Sequence, residues 1–218
     1  MKLLLAGIIA VALTVGWSPG TIHADIISTV WNAGGGGAGS GTLDGVNVSY
    51  TTSNTHGGGG TFTTDWLGLL TSQFGMAVAS VSSDTAGTLV SIGTATPQTI
   101  TFSSSVSNPI IFINWLSTGD SFDFGALNIT LLGANKVSRS SNIVSADLNA
   151  SGDSPNEGFA LQFNGTFNSL AFNYSGIGNP SVGFTVATSV PEPSTYALLC
   201  ISLGVVGFAR KKMRKSEA

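Results

Sequence analysis

Apolar and polar positions alternate through most of the middle of the chain. Val46, Val48 and Tyr50 enclose Asn47 and Ser49, and Ile100 and Phe102 stand among Thr99, Thr101 and Ser103. Leu127, Ile129 and Leu131 bracket Asn128 and Thr130. The same period of two returns at Phe159, Leu161 and Phe163, at Leu170, Phe172 and Tyr174, and at Val182, Phe184 and Val186. Successive side chains of a strand point to opposite faces. Each run therefore places an apolar row on a core and Thr, Ser or Asn toward water. Residues 110–116 (IIFINWL) lack the alternation and predict a central strand buried on both faces. Asn164-Gly165, directly after Phe163, is a favourable turn pair.

One stretch changes period. Trp66, Leu69, Leu70 and Phe74 follow the i, i+3, i+4, i+8 spacing of an amphipathic helix, with Asp65 placed to cap it. Its apolar face is expected to cover one end of a sheet. Many short strands with turn residues between them and no βα alternation predict an all-β fold. The expected form is an antiparallel β-sandwich, jelly-roll-like, with one short helix. A parallel β-helix is the alternative, but no fixed repeat period runs through the chain. Two glycine tracts, 34–37 and 57–60, flank the strand around Val48 and predict loops at one end of the sandwich.

Both ends of the 218-residue chain read as targeting segments. Lys2 precedes an unbroken apolar stretch and then small residues ending at Ala24, the layout of a signal peptide cut before Asp25. A retained N-terminal membrane helix is the alternative, and the apolar stretch is short for one. Residues 194–209 carry no charge. As a helix they span about 24 Å against the ~30 Å of a bilayer core. Arg210, Lys211, Lys212, Arg214 and Lys215 follow at once. Such a cluster stays cytoplasmic and leaves the bulk of the chain outside. Pro191 and Pro193 disfavour helix around Glu192, so an exposed, extended junction precedes the apolar run. The expected division is a signal peptide (1–24), an exported domain (25–189) and a C-terminal anchor segment (190–218).

Val190-Pro191-Glu192-Pro193-Ser194-Thr195, the apolar run with Gly204 and Gly207, and the basic cluster together resemble the PEP-CTERM sorting signal. The same segment is also called an ice-binding protein C-terminal domain. The resemblance covers about thirty residues and implies a Gram-negative bacterium. It implies export through the Sec translocon with signal peptidase, and transient anchoring in the inner membrane by a single transmembrane helix. An exosortase-type enzyme would process the chain near Pro191, Glu192 and Pro193 and deliver it to the cell surface or the medium. It also implies an association with exopolysaccharide or biofilm matrix. An ordinary membrane anchor behind a proline-rich linker is the plainer alternative.

Charge narrows the partners. Between residues 25 and 189 the bases are Lys136 and Arg139 alone, against nine acids, a formal charge of −7. Such a domain repels nucleic acid, whose phosphates need cationic contacts. The one cysteine, Cys200, lies in the C-terminal apolar run, so the domain has no internal disulfide.

Catalytic signals are sparse. His56 is the only histidine after the signal peptide, and residues 25–189 hold no Gly-x-Ser-x-Gly elbow to go with it. Asp120 and Asp123 could pair across a cleft, although turn capping accounts for them equally. The expectation is a non-enzymatic protein. The strongest metal pattern is Asp147, Asn149, Asp153 and Glu157, oxygen donors spaced around Gly152 in the manner of a calcium loop. A polar loop with Asx turns explains the same residues.

The principal functional expectation is a structural or adhesive surface protein. A carbohydrate-binding module, calcium-assisted in one version, or an ice-binding one is the alternative, and a secreted hydrolase comes third. A binding face needs exposed aromatics or an aligned threonine array. Trp31, beside a glycine tract, is the expected exposed aromatic, whereas Trp66 and Trp115 sit in apolar patterns and are expected in the core. Thr99 and Thr101 alone make too short an array.

Overall fold

The computed structural model describes residues 24–32, 38–52, 62–91, 95–150, 154, 156–176 and 181–190. In chain order the strands begin with β1 (Ala24–Ser28), β2 (Val30–Trp31), β3 (Ala38–Leu43), β4 (Val46–Thr52) and β5 (Phe62–Thr63). A helical segment follows, α1 (Trp66–Gly68) running into a π-turn (Leu69–Gln73). Then come β6 (Val78–Val81), β7 (Thr85–Val90), β8 (Thr96–Ser107), β9 (Ile110–Asn114), β10 (Ser121–Asp123) and β11 (Ile129–Asn135). The last five are β12 (Val137–Ser140), β13 (Ile143–Ala146), β14 (Gly158–Phe163), β15 (Thr166–Ser175) and β16 (Ser181–Val190).

These strands form two sheets. The first runs β11-β14-β9-β16-β1-β6, with β7 beside β16 and β5 beside β7. The second runs β12-β13-β10-β15-β8-β4-β3-β2. Every pairing is antiparallel except that of β1 with β6, so the parallel β-helix alternative falls. β16 is the axis of the first sheet. One of its edges pairs with β9 over Gly183–Ala187, and the other pairs first with β7 and then with β1. The last pair in that ladder is Asp25 with Val190.

The predicted apolar rows meet between the sheets. Val48, Tyr50, Ile100, Phe102, Leu170, Phe172 and Tyr174 from the second sheet share one buried cluster with Phe159, Leu161, Phe163, Val182, Phe184 and Val186 from the first. Aromatic contacts join the layers. Phe122 stacks on Tyr174 at 4.6 Å and meets Phe159 edge-on at 5.4 Å. β9 is buried on both faces, as its unbroken apolar run predicts. Ile111 and Ile113 face the other sheet, while Ile110 and Phe112 face outward against Trp66, Leu69, Leu70 and Phe74. The amphipathic spacing of that helix therefore shows directly in its burial. Asp65 caps it, accepting from the Gly68 N–H at 2.8 Å.

Two points differ from the sequence reading. The chain bends at Asn164-Gly165, but the pair closes no hairpin, because β14 and β15 belong to different sheets. Local turn chemistry reports a reversal and is silent on which sheet receives the next strand. Leu127 lies in a turn, its N–H bonded to the Phe124 carbonyl, and β11 starts only at Ile129. Two tight hairpins lie elsewhere: β3–β4, closed by Asp44 and Gly45 at φ 47° and 78°, the left-handed pair a two-residue turn requires, and β12–β13, closed by Ser141 and Asn142. Among the described residues no helix is long and apolar enough to cross a membrane. The expected signal peptide and the expected span at 194–209 lie outside the described residues.

Candidate ligand pocket beside Trp115

β9 ends at Asn114, and the chain turns sharply at Trp115, whose φ is +67°. For a bulky side chain this left-handed conformation is a true outlier, stable only where the surroundings enforce it. They do so here through a second loop. Leu116 N–H bonds to the Glu157 carbonyl at 3.2 Å, and Thr118 N–H to that of Ala150 at 2.9 Å. The Asp120 carboxylate, fully buried, accepts from the Ser117 N–H at 2.9 Å and from the Tyr174 hydroxyl. Glu157, 1% exposed, holds Lys136 at 2.5 Å. Residues 115–120 are thus braced by residues 147–150 and Glu157.

In front of this brace lies a half-open cavity of about 310 Å³. Trp115 and Asn156 line it together with Thr63, Thr64, Asp65 and Ser72. Asn135 links the segments that carry Asn156 and Ser72, because its amide donates to the Asn156 carbonyl at 2.9 Å and to Gln73 Oε1 at 3.4 Å. Behind Trp115 is Asn114, wholly buried, with neither carboxamide atom hydrogen-bonded. By strand alternation it shares the outward face of Phe112.

The three described tryptophans sort differently from the sequence expectation. Trp31 is 4% exposed and packs edge-on against Tyr50 at 5.3 Å, with its indole N–H on the Thr185 hydroxyl, so it is core and not a surface platform. A glycine tract next to a tryptophan says where the loop starts, and here the strand before that loop turns its side chain inward. Trp66 is fully buried, as expected. Trp115, expected in the core, is half-buried and lines the cavity. Its apolar neighbours in sequence belong to a strand that ends one residue earlier.

The metal pattern is divided. Asp147 and Asn149 lie in the turn after β13, Glu157 is engaged by Lys136, and Asp153 lies outside the described residues. No group of three His, Cys, Asp or Glu side chains gathers among the described residues. Asp120 is buried beneath β10, whereas Asp123 is exposed and caps the Gly125 N–H at 2.9 Å. They face opposite ways and do not share a cleft. His56, Pro191, Glu192, Pro193 and the basic residues Arg210, Lys211, Lys212, Arg214 and Lys215 lie outside the described residues.

Thr99 and Thr101 belong to a wider array than their own strand. Pairing aligns Ser40, Ser49, Thr101 and Ser169 in one row across β3, β4, β8 and β15, and Ala38, Thr51, Thr99 and Ala171 in the next. All but the half-buried Thr99 are exposed, and none is charged. This outer face of the second sheet was invisible in the sequence because its rows run across strands far apart in the chain. Thr63, Thr64 and Ser72 were missed for the same reason.

The fold and cavity define a two-sheet β domain with an aromatic-and-amide pocket on the helix-covered side of one sheet. The chain also carries a PEP-CTERM protein-sorting motif, matched by that family's model over residues 189–215. The motif is the mark of exported proteins processed by an exosortase. No curated protein matches the chain.

Proposed function

We propose that this is an exported, exosortase-sorted protein of the cell surface or extracellular matrix, with a structural or adhesive, non-enzymatic role alongside exopolysaccharide. Its domain acts as a jelly-roll-like sandwich, delivered by the N-terminal signal peptide and held briefly at the inner membrane by residues 194–209. The observation that carries the reading is where the domain ends. β16 closes at Val190, paired with Asp25, and the sorting motif takes over at residues 189–215. Every described strand lies on the N-terminal side of Pro191, so processing there removes no part of either sheet. The uncharged hydroxyl rows on the second sheet favour a hydrated polysaccharide surrounding over a charged partner. Fractionation of cells expressing the full chain tests this. The protein is expected in the matrix or medium when an exosortase is present and in the inner membrane when it is deleted. Recovery from the cytoplasm in both strains overturns it.

A further inference from the structure

We infer that the pocket beside Trp115 is a binding subsite for a neutral saccharide unit. The inference rests on the exported, matrix-associated reading and names what the domain would hold there. Its volume of about 310 Å³ lies within the range of small-ligand sites. Sugars present two chemistries at once, a patch of C–H groups that packs on an aromatic face and a rim of hydroxyls that both donate and accept. Trp115 supplies an indole at the cavity wall. Around it stand the hydroxyls of Thr63, Thr64 and Ser72, the carboxamide of Asn156 and the carboxylate of Asp65. These groups match hydroxyls and offer no cation.

A further observation points the same way. Trp115 is kept half-buried in a left-handed backbone conformation, with the next residues held by hydrogen bonds from Leu116 to Glu157 and from Thr118 to Ala150. Strain of this kind in a braced loop fits a side chain held for a partner.

Charge sets the class of sugar. The described cations are Lys136, engaged by Glu157, and Arg139, whose guanidinium donates to the Ser141 and Ile129 carbonyls. With Asp65 on the wall and −7 on the domain, a uronic-acid or sulfated chain is repelled.

The test uses the full-length chain in detergent, titrated with neutral glucan and galactan hexamers and with a galacturonic acid hexamer. Tryptophan fluorescence and calorimetry are read together. A neutral hexamer is expected to bind and to shift the fluorescence, and the acidic one to bind at least tenfold more weakly. Trp115→Phe is expected to abolish the fluorescence change, and Trp115→Ala to weaken binding about tenfold or more. Asn156→Ala, at an exposed side chain, repeats the loss should Trp115→Ala fail to fold. Unchanged affinity in Asn156→Ala, preference for the acidic hexamer, or no binding by any hexamer overturns the inference. Matrix fractionation of the same variants separates this from the reading beneath it. Wild-type protein found in the matrix but binding no hexamer sinks only the pocket. Wild-type protein confined to the cytoplasm sinks both.

Discussion

Asn114 and Tyr174 show how differently two buried polar groups behave. Tyr174 is fully buried, stacks on Phe122 and bonds Asp120, and its hydroxyl pKa is pushed well up from the ordinary 10.0, first by burial and then by the Asp120 charge. The unfolded chain therefore ionises this tyrosine before the folded one does. Its contribution to stability is intact below pH 10 and declines as pH rises above it, by up to about 1.4 kcal/mol per pH unit. Urea denaturation between pH 8 and 11.5 should show that decline in the wild type and a flatter limb in Tyr174→Phe. An equally steep limb in the variant contradicts this. Asn114 has the opposite problem, since both ends of its amide are unpaired. Asn114→Leu removes two unsatisfied atoms at similar volume, so it should be neutral or stabilising by about 1–2 kcal/mol. A loss of that size would reveal a water or ligand serving the amide. Neither environment was legible in the sequence. Tyr174 reads as one more inward strand residue and Asn114 as the polar interruption of IIFINWL. What decides Tyr174 is Asp120, on a loop from elsewhere in the chain, and what decides Asn114 is its place between the strands of Gly158 and Gly183.

Strands were easier to read than the joints between them. The rows at Val48-Tyr50, Ile100-Phe102, Phe159-Leu161-Phe163 and Val182-Phe184-Val186 are inward-facing because period-two burial is a property of a strand alone. The joints depend on two strands meeting. At one corner, where the chain leaves β8 for β9 and β14 for β15, Asn108 N–H bonds the Gly165 carbonyl at 2.7 Å and Asn108 Oδ1 accepts from the Gly165 N–H at 2.9 Å. Both residues are left-handed, at φ 48° and 136°. Gly165→Ala strains that corner, and a loss of about 1–2 kcal/mol is expected. Gly158 opens β14 so close to β9 that an added Cβ would be driven into the Ile113 carbonyl backbone. Gly158→Ala should therefore cost more than Gly165→Ala, by about 1 kcal/mol or above. Chemical denaturation of the two variants side by side checks the order, and the reverse order refutes it. The Lys136–Glu157 pair belongs to the same scale, because it clamps the turn between β11 and β12 to the loop before β14. Lys136→Met removes the countercharge of a buried carboxylate, and a loss of about 2–3 kcal/mol is expected from chemical denaturation.

Across the whole molecule, the two ends of the domain lie together. β1 and β16 run antiparallel, so Asp25 sits opposite Val190. Asp25, before which the signal-peptide cut is expected, and Val190, the residue before Pro191, thus lie side by side. That arrangement could not be read from residues 165 positions apart, whereas the sorting motif itself was legible because it is a short contiguous pattern. The pocket follows the first case, its walls coming from residues 63–72, 115 and 156. Every described strand ends by Val190, so loss of the tail is expected to leave the melting temperature unchanged. The most direct measurement of the central claim is the intact mass of the mature protein from cells with and without the exosortase. The account predicts a C-terminus close to Pro191-Glu192-Pro193 in the first and a chain still carrying Arg210 to Lys215 in the second. A chain extending to Ala218 in both would contradict it.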